Sequence, residues 1–296
     1  MNNKNIIDGF DVIIVDAYGV FNFGQGISLS VIETFKKWRE AGKKVLVISS
    51  TTAVNAGAIK SYGKKGVIKG VHYDDFMTSG QFASEVIQAG ELPVEGKKYW
   101  VLGTANFKSD DPVPAIFTNS TYELVEDVAD ADFIYCGIPQ LLDTEGCPYD
   151  STELSDFEVQ IAELVRLDKP LVVANPDLTA NEGGRFVIRQ GSIGRLWEER
   201  GGECIIYGKP DPKIFDTLLD RCCPDVRKDK ILMIGDTLRT DIKGAQRAGI
   251  RGCLVLEGGV TEHEMEERRV SLEEYCTQEG VIPNYIWRRI PDDPLF

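Results

Sequence analysis

Three carboxylates, two hydroxyls and one ammonium each stand directly after, or close behind, a short apolar run. Asp16 follows DVIIV, Ser49 and Ser50 follow KKVLVI, Lys209 follows ECIIYG, and Asp236 with Asp241 follows DKILMIG. Gathered in one place, such a set suits phosphoryl transfer. Carboxylates held close together repel unless a hard cation lies between them, and Mg²⁺ takes one or two carboxylates with water and phosphate oxygens. The ion would let one anion, Asp16, attack another, the phosphate, by neutralising charge at the reacting oxygens. Lys209 would balance the remaining charge. Ser49 and the backbone amides of a following helix start would hold phosphate oxygens, as helix N-termini do. Taken singly, each element has a plainer explanation: Asp after an apolar run is turn chemistry, SSTT has the composition of an N-cap, and Lys209 merely precedes a proline. The functional reading rests on their joint placement at one edge.

A parallel sheet is what would bring them to that edge. Apolar runs at 11–16, 43–49, 203–208, 229–235 and 251–257 alternate with stretches of helical period, the pattern of βαβ units. The runs are nearly continuous rather than alternating, as expected of strands covered by helices on both faces. Between the first two, Val31, Ile32, Phe35 and Trp38 recur at helical spacing, with Gly42 as a stop. Ligands of such sheets bind outside the carboxyl ends of the strands, where all six residues stand. The fold class expected is therefore α/β, with a doubly wound parallel sheet.

The segment 81–181 has strand-like runs of its own at 97–103, 131–138 and 169–175, and a helix candidate, ELSDFEVQIAELVRL. This predicts a discontinuous core, 1–80 and 182–296, interrupted by an inserted α/β domain over 81–181. A single eight-stranded sheet is the alternative. Asn175 and Asp177, in ANPD, return the chain from insert to core and are candidate substrate contacts, although ANPD is also ordinary turn chemistry. The tail from Ser271 combines a short helix with proline breaks and is expected to pack its aromatics on the core.

Composition narrows the partners. The chain has 296 residues, 43% hydrophobic and 27% charged, with 33 basic against 47 acidic residues for a net charge of -14. That charge disfavours nucleic acid and anionic membrane surfaces. Seven scattered cysteines, with no C-x-x-C pair, suggest neither a disulfide framework nor a zinc site and fit a reducing cytoplasm. The start MNNKNIIDGF does not read as a signal segment, and no apolar run approaches the roughly 20 residues of a membrane span. The two histidines, His72 and His263, are read as surface or loop residues. A homo-oligomer is left open.

The motifs DAYGVFNFG, VLVISSTT, YGKPDPKIF and IGDTLRTDIKGAQRAG, with VANPDLT at 173–179, resemble those of the haloacid dehalogenase superfamily. Within it, they resemble the class IIA, 4-nitrophenylphosphatase-like branch, over nearly the whole chain apart from the tail. The resemblance implies a Rossmann-like core with an α/β cap between the second and third motifs, and Mg²⁺-dependent hydrolysis of a small phosphorylated metabolite. Position by position, Asp16 resembles the nucleophile that becomes an aspartyl phosphate. Ser49 resembles the phosphate-binding hydroxyl, Lys209 the lysine that steadies nucleophile and phosphate, Asp236 the Mg²⁺ ligand and Asp241 a supporting carboxylate. Tyr18 would still offer its backbone carbonyl to the metal. Its side chain departs from the branch, which has there an aspartate that protonates the leaving oxygen and later activates water, help worth about 10²–10⁴ in rate. A phenol of pKa near 10 is a poor base at neutral pH. Ser50 stands where the branch often has asparagine. A phosphatase weak on ordinary alkyl phosphates is therefore expected, with a non-catalytic phosphate-ligand-binding homologue as the alternative. DAYG also resembles the first motif of the dehalogenases, but those generally carry their cap between the first two motifs, which here lie about 32 residues apart.

Overall fold

The computed structural model describes residues 6–24, 26–106 and 111–290. Two parallel sheets flanked by helices carry the architecture, with two small antiparallel hairpins beside them. In the first sheet six strands lie in the order Tyr285–Trp287, Arg251–Val255, Ile231–Gly235, Val12–Asp16, Lys44–Ser49, Asp75–Thr78, every neighbouring pair parallel. The apolar runs are apolar because the sheet is covered on both faces: Ile13, Ile14, Val15, Val47, Leu232 and Met233 are all buried. From Val12–Asp16 successive strands step one way to Asp75–Thr78, and from Ile231–Gly235 they step the other way to Tyr285–Trp287. The crevice at this reversal, the ligand position of doubly wound sheets, opens between Asp16 and Asp236.

Helix Leu29–Glu40 forms where the spacing predicts it, burying Val31, Ile32, Phe35 and Trp38. Each such side chain contributes roughly 1.5–3 kcal/mol on leaving water. The helix ends at Ala41, and Gly42 takes a φ of 82°. The expected helix at 153–167 begins as a 3₁₀ turn, Leu154–Phe157, and continues as Glu158–Val165.

The second sheet runs Cys204–Ile206, Leu171–Val173, Phe133–Cys136, Lys98–Leu102, Glu123–Leu124, again all parallel. Its centre is formed by the three runs expected in the inserted segment. Cys204–Ile206, read from sequence as part of the first sheet, pairs instead with Leu171–Val173. Helix Gln190–Glu199 packs on this second sheet through Ile193, Leu196 and Trp197. The second sheet therefore takes in a strand beyond residue 181, and among the described residues there is no single eight-stranded sheet. An apolar run marks a buried strand but carries no information on which sheet receives it. Here the run forms an edge, with Ile206 39% exposed. Two edge strands of the first sheet, Asp75–Thr78 and Tyr285–Trp287, had no comparable run to announce them. The second comes from the tail, where helix Leu272–Glu279 also forms and Tyr285 meets Phe10 edge-on at 6.0 Å. Residues 291–296 of the tail lie outside the described residues.

One apolar cluster joins the sheets, running from Val12 and Ile14 through helices Ser79–Ala89 and Pro212–Cys222 to Tyr99, Phe133 and Tyr135. The hairpin of Thr179–Asn181 and Phe186–Ile188 docks at the carboxyl end of the first sheet. There Asn181 donates from Nδ2 to the Gly258 carbonyl at 3.0 Å, and the Gly183 N–H donates to Phe23 at 3.3 Å. His72 is not a surface residue: it is buried, and its Nδ1 accepts the Ile68 N–H at 2.9 Å. His263 stacks on Phe186 with ring centroids 3.7 Å apart. All seven cysteines are unpaired. Among the described residues no helix is long and apolar enough to cross a membrane.

Candidate active site

Asp16 is the last residue of its strand, Asp236 follows Gly235 on the neighbouring strand, and Asp241 lies in a π-helical turn, Leu238–Ile242. Such turns widen the helix by one residue and recur at functional sites. Lys209 reaches the same point: its Nζ donates to Asp16 Oδ1 and to Asp241 Oδ1, each at 2.5 Å, with its side chain 1% exposed. The other Asp241 oxygen accepts the N–H groups of Asp236 and Thr237, both at 3.1 Å. Asp236 accepts the Val260 N–H at 2.7 Å and the Thr237 hydroxyl at 3.1 Å. Asp16, Asp236 and Asp241 thus each offer a carboxylate oxygen within 4.8 Å of the others.

Two glycines make room for this cluster. Gly19 has a φ of 74°, and a Cβ there would stand 2.1 Å from Asp236 Oδ2; one on Gly235 would stand 2.3 Å from the Asp241 carboxyl. Any side chain at either position would drive into a carboxylate.

Three buried carboxylates around one ammonium leave an excess of negative charge in a dry site. Burial pushes Asp16 well up; Lys209 opposes the shift and Asp241 and Asp236 add to it. Asp236 is pushed up to about 7, by burial first and then by Asp241. Lys209 is raised against its own burial by Asp16 and Asp241 and stays protonated. An all-oxygen, net-negative cluster is the donor chemistry of a hard divalent cation.

Ser49 and Ser50 are buried beside a cavity of about 370 Å³ that opens next to Asp16. Ser50 donates from Oγ to Asp177 Oδ1 at 3.1 Å. Asn175 accepts the Asp177 N–H on its own side chain at 3.0 Å, so it shapes the turn as well as lining the cavity. The helix that follows Ser49 starts several residues on, behind a loop. Helix Asn55–Lys64 begins later, with Val54 at its N-cap, and the intervening loop is tied elsewhere: Gly80 N–H donates to the Thr51 carbonyl at 3.0 Å and Thr78 Oγ1 to Ala53 at 2.6 Å. The serine-threonine run therefore caps nothing.

Tyr18 faces both the acidic cleft and the larger cavity. Its phenol is pushed up, by burial first and then by Glu182, with Arg189 opposing. Asn22 donates to the Tyr62 hydroxyl at 3.1 Å, while Arg189 pairs with Glu182 at 2.6 Å and Asp150 at 3.6 Å. Sequence reading missed Asn22, Tyr62, Glu182 and Arg189. Asn22 stands in the same loop as Tyr18, whereas Tyr62 comes from helix Asn55–Lys64, Glu182 from the hairpin at 179–188 and Arg189 from just behind it, which no local spacing links to Tyr18.

A sequence profile of the HAD-hydrolase-like family matches residues 206–280, the stretch that carries Lys209, Asp236 and Asp241. Over that stretch the chain is similar to the HAD-hydrolase-like family. It is 26% identical over 271 residues to a 4-nitrophenylphosphatase of Schizosaccharomyces pombe, covering 88% of each chain. Its fold is similar to that of a haloacid dehalogenase-like hydrolase from Brucella suis, with TM-score 0.79, 23% identity and 98% of each chain covered. It is also similar to a Mycobacterium tuberculosis glycerol phosphate phosphatase solved in complex with magnesium, with TM-score 0.64, 21% identity, and 99% of this chain and 78% of that one covered. Among the described residues, helix Leu29–Glu40 is the one α-helix between the first two core strands.

Proposed function

We propose that the protein is a Mg²⁺-dependent phosphohydrolase of class IIA type, acting on a small phosphorylated metabolite through an aspartyl phosphate on Asp16. The observation that carries this reading is Lys209, buried and shared at 2.5 Å between Asp16 and Asp241 beside a third carboxylate. As a stabilising device such a cluster is poor, because desolvating several charges offsets most of their attraction. As a receptor for a phosphate and a divalent cation it is well matched.

Asp16, Asp236 and the Tyr18 backbone carbonyl would hold Mg²⁺, with Asp241 supporting from its place against Lys209. When bound, the ion neutralises charge on the reacting oxygens. Lys209 holds Asp16 by one oxygen, which orients the carboxylate for attack on phosphorus. Ser49, Ser50 and Lys209 are the donors for the phosphate oxygens. The second sheet, with the segment from helix Ser79–Ala89 to strand Cys204–Ile206, acts as the cap. Unpaired thiols support a cytoplasmic setting. With a phenol at position 18 the enzyme favours aryl and acyl phosphates, whose leaving groups need little protonation, over alkyl phosphates.

The test is phosphate release from a panel of aryl, acyl and alkyl phosphates with and without Mg²⁺, using Asp16→Asn as the blank. Mg²⁺-dependent turnover that disappears in Asp16→Asn is the expected result. Thermal stabilisation by these compounds without turnover would replace the enzyme with a phosphate-ligand-binding homologue.

A further inference from the structure

The cavity of about 370 Å³ beside Asp16 is walled from both units of the fold. Asp16, Ser49, Ser50 and Tyr62 reach it from the side of the first sheet, and Gln190, at the start of helix Gln190–Glu199, from the side of the second. On the phosphohydrolase reading the phosphoryl group lies against Asp16, Ser49 and Ser50, so the rest of the substrate fills the cavity toward Gln190. Charged groups around it are spent on one another. Arg189 pairs with Glu182 and Asp150, Asp16 with Lys209, and Asp177 accepts from Ser50. Lys65 stands exposed, its Nζ 5.7 Å from the centre of the Tyr62 ring.

Gln190 is not spent. It is 2% exposed, and its Oε1 has no hydrogen-bond partner. Among the described residues no other buried side-chain oxygen or nitrogen without a partner belongs to a residue lining this cavity. Buried polar groups are nearly always paired, so an amide kept this way beside a cavity points to a partner that enters the cavity. Its backbone is held on both sides: Arg189 N–H donates to the Leu178 carbonyl at 2.8 Å, Gly191 N–H to the Asp177 carbonyl at 3.0 Å and Ser192 Oγ to the Leu178 carbonyl at 2.8 Å. A group fixed in place in advance loses little freedom on pairing.

We propose that Gln190 determines specificity by reading a hydroxyl of the leaving group, so that the cavity takes the phosphate ester of a polyol or sugar. The chemistry of an amide selects that class. A hydroxyl both donates and accepts, pairs with either end of the amide, and brings no charge. A carboxylate only accepts and leaves Oε1 unpaired, an alkyl chain offers nothing, and an ammonium sets a second cation beside Arg189. The Tyr62 hydroxyl accepts from Asn22 at 3.1 Å, which leaves its own proton for a second hydroxyl. Position 18 sets the demand for a leaving-group proton on all alkyl phosphates alike, and Gln190 chooses among them.

This assignment rests on the phosphohydrolase reading, and measuring both binding and turnover separates the two. Wild type and Gln190→Met, a near-isosteric apolar replacement, are compared on glycerol phosphate and propyl phosphate, alkyl esters that differ in their hydroxyls, and on phosphoglycolate. Each is followed by calorimetric Kd and by kcat/KM with Mg²⁺, and each protein is melted. A site built to bond a substrate hydroxyl disfavours the analogue lacking it, because its own polar group is then left unpaired. Wild type should therefore prefer glycerol phosphate over propyl phosphate about tenfold or more, and Gln190→Met less than about 3-fold. The variant should melt no lower than wild type, since the amide it loses has no partner in the protein. Equal selectivity in the two proteins overturns the assignment, and a lowered melting temperature with it makes Gln190 a structural residue. A wild type that prefers phosphoglycolate, its carboxylate taken by Lys65, overturns it as well. Lost selectivity in Kd without turnover of any phosphate upholds the hydroxyl subsite and sinks the phosphohydrolase; binding of none of them sinks both. Should Gln190→Met fail to fold, Gln190→Ala, which removes the amide without adding bulk, is put to the same comparison.

Discussion

Tyr18 sets the working range of this site. Its phenol is half-buried beside Asn22 and Glu182 and loses its proton less readily than a free tyrosine, so it neither gives nor takes a proton well near pH 7. Restoring a carboxyl two residues after the nucleophile, Tyr18→Asp, should raise turnover of an alkyl phosphate by about tenfold or more. No gain in a folded, Mg²⁺-binding variant would count against the missing-acid account. Asp236 makes a second prediction. Burial and Asp241 hold it up to about 7, and a bound cation favours its carboxylate. Mg²⁺ binding near pH 7 should therefore release protons, with affinity climbing as pH rises toward about 7 and levelling above it. Calorimetry in two buffers of different ionisation enthalpy checks this; identical heats would rule it out. The carboxylates, the lysine and the serines were legible in the sequence because each follows an apolar run that fixes its place at a strand end. Glu182 and Arg189 were not, because they act from a hairpin whose docking on the core depends on tertiary contacts alone.

The π-helical turn carrying Asp241 is held by a network that is itself partly buried. Arg239 donates from Nη1 to Glu264 at 2.7 Å, to the Tyr275 hydroxyl at 2.9 Å and to Glu279 at 3.1 Å. It thereby ties the turn to helices Val260–Arg268 and Leu272–Glu279. Burial alone would raise the Glu264 carboxyl, but the hydrogen bonds and charge of Arg239 outweigh it and hold it below its ordinary value. A carboxyl lowered in the fold contributes stability that is complete above the unfolded value, about 4.5, and lost as pH falls through the lowered one. Arg239→Gln should cost roughly 1–3 kcal/mol at pH 7, since it leaves the buried Glu264 carboxylate with only the Tyr275 hydroxyl and Arg268, at 3.5 Å, as partners. The gap to wild type should shrink near pH 3. Urea unfolding at both pH values reads it, and a pH-independent gap would contradict the pairing. Elements with a run or a period of their own, such as Val12–Asp16 and Leu29–Glu40, were readable directly. Cys204–Ile206 was read as a strand but given the wrong sheet, because sheet membership is decided by packing partners.

Across the whole molecule the two sheets share an apolar cluster through helices Ser79–Ala89 and Pro212–Cys222, so neither buries its inner face without the other. They should unfold together. Variants keeping only Trp38, against the first sheet, or only Trp197, against the second, should show one common urea midpoint by fluorescence; separate midpoints would make the cap an independent unit. The strand order carries a consequence for synthesis. Val12–Asp16 sits in the middle of its sheet, yet one of its two neighbours, Ile231–Gly235, is among the last parts of the chain to be made. Asp16 and the Lys209 that balances it lie 193 positions apart. At ~5–20 residues per second, the ribosome delivers that lysine roughly 10–40 s after the aspartate. For that interval a fully buried strand has an open edge and an uncompensated carboxylate at its tip. A chain stalled before Lys209 would be an aggregation hazard, whereas the finished chain closes that edge and balances that charge in the same stretch of translation.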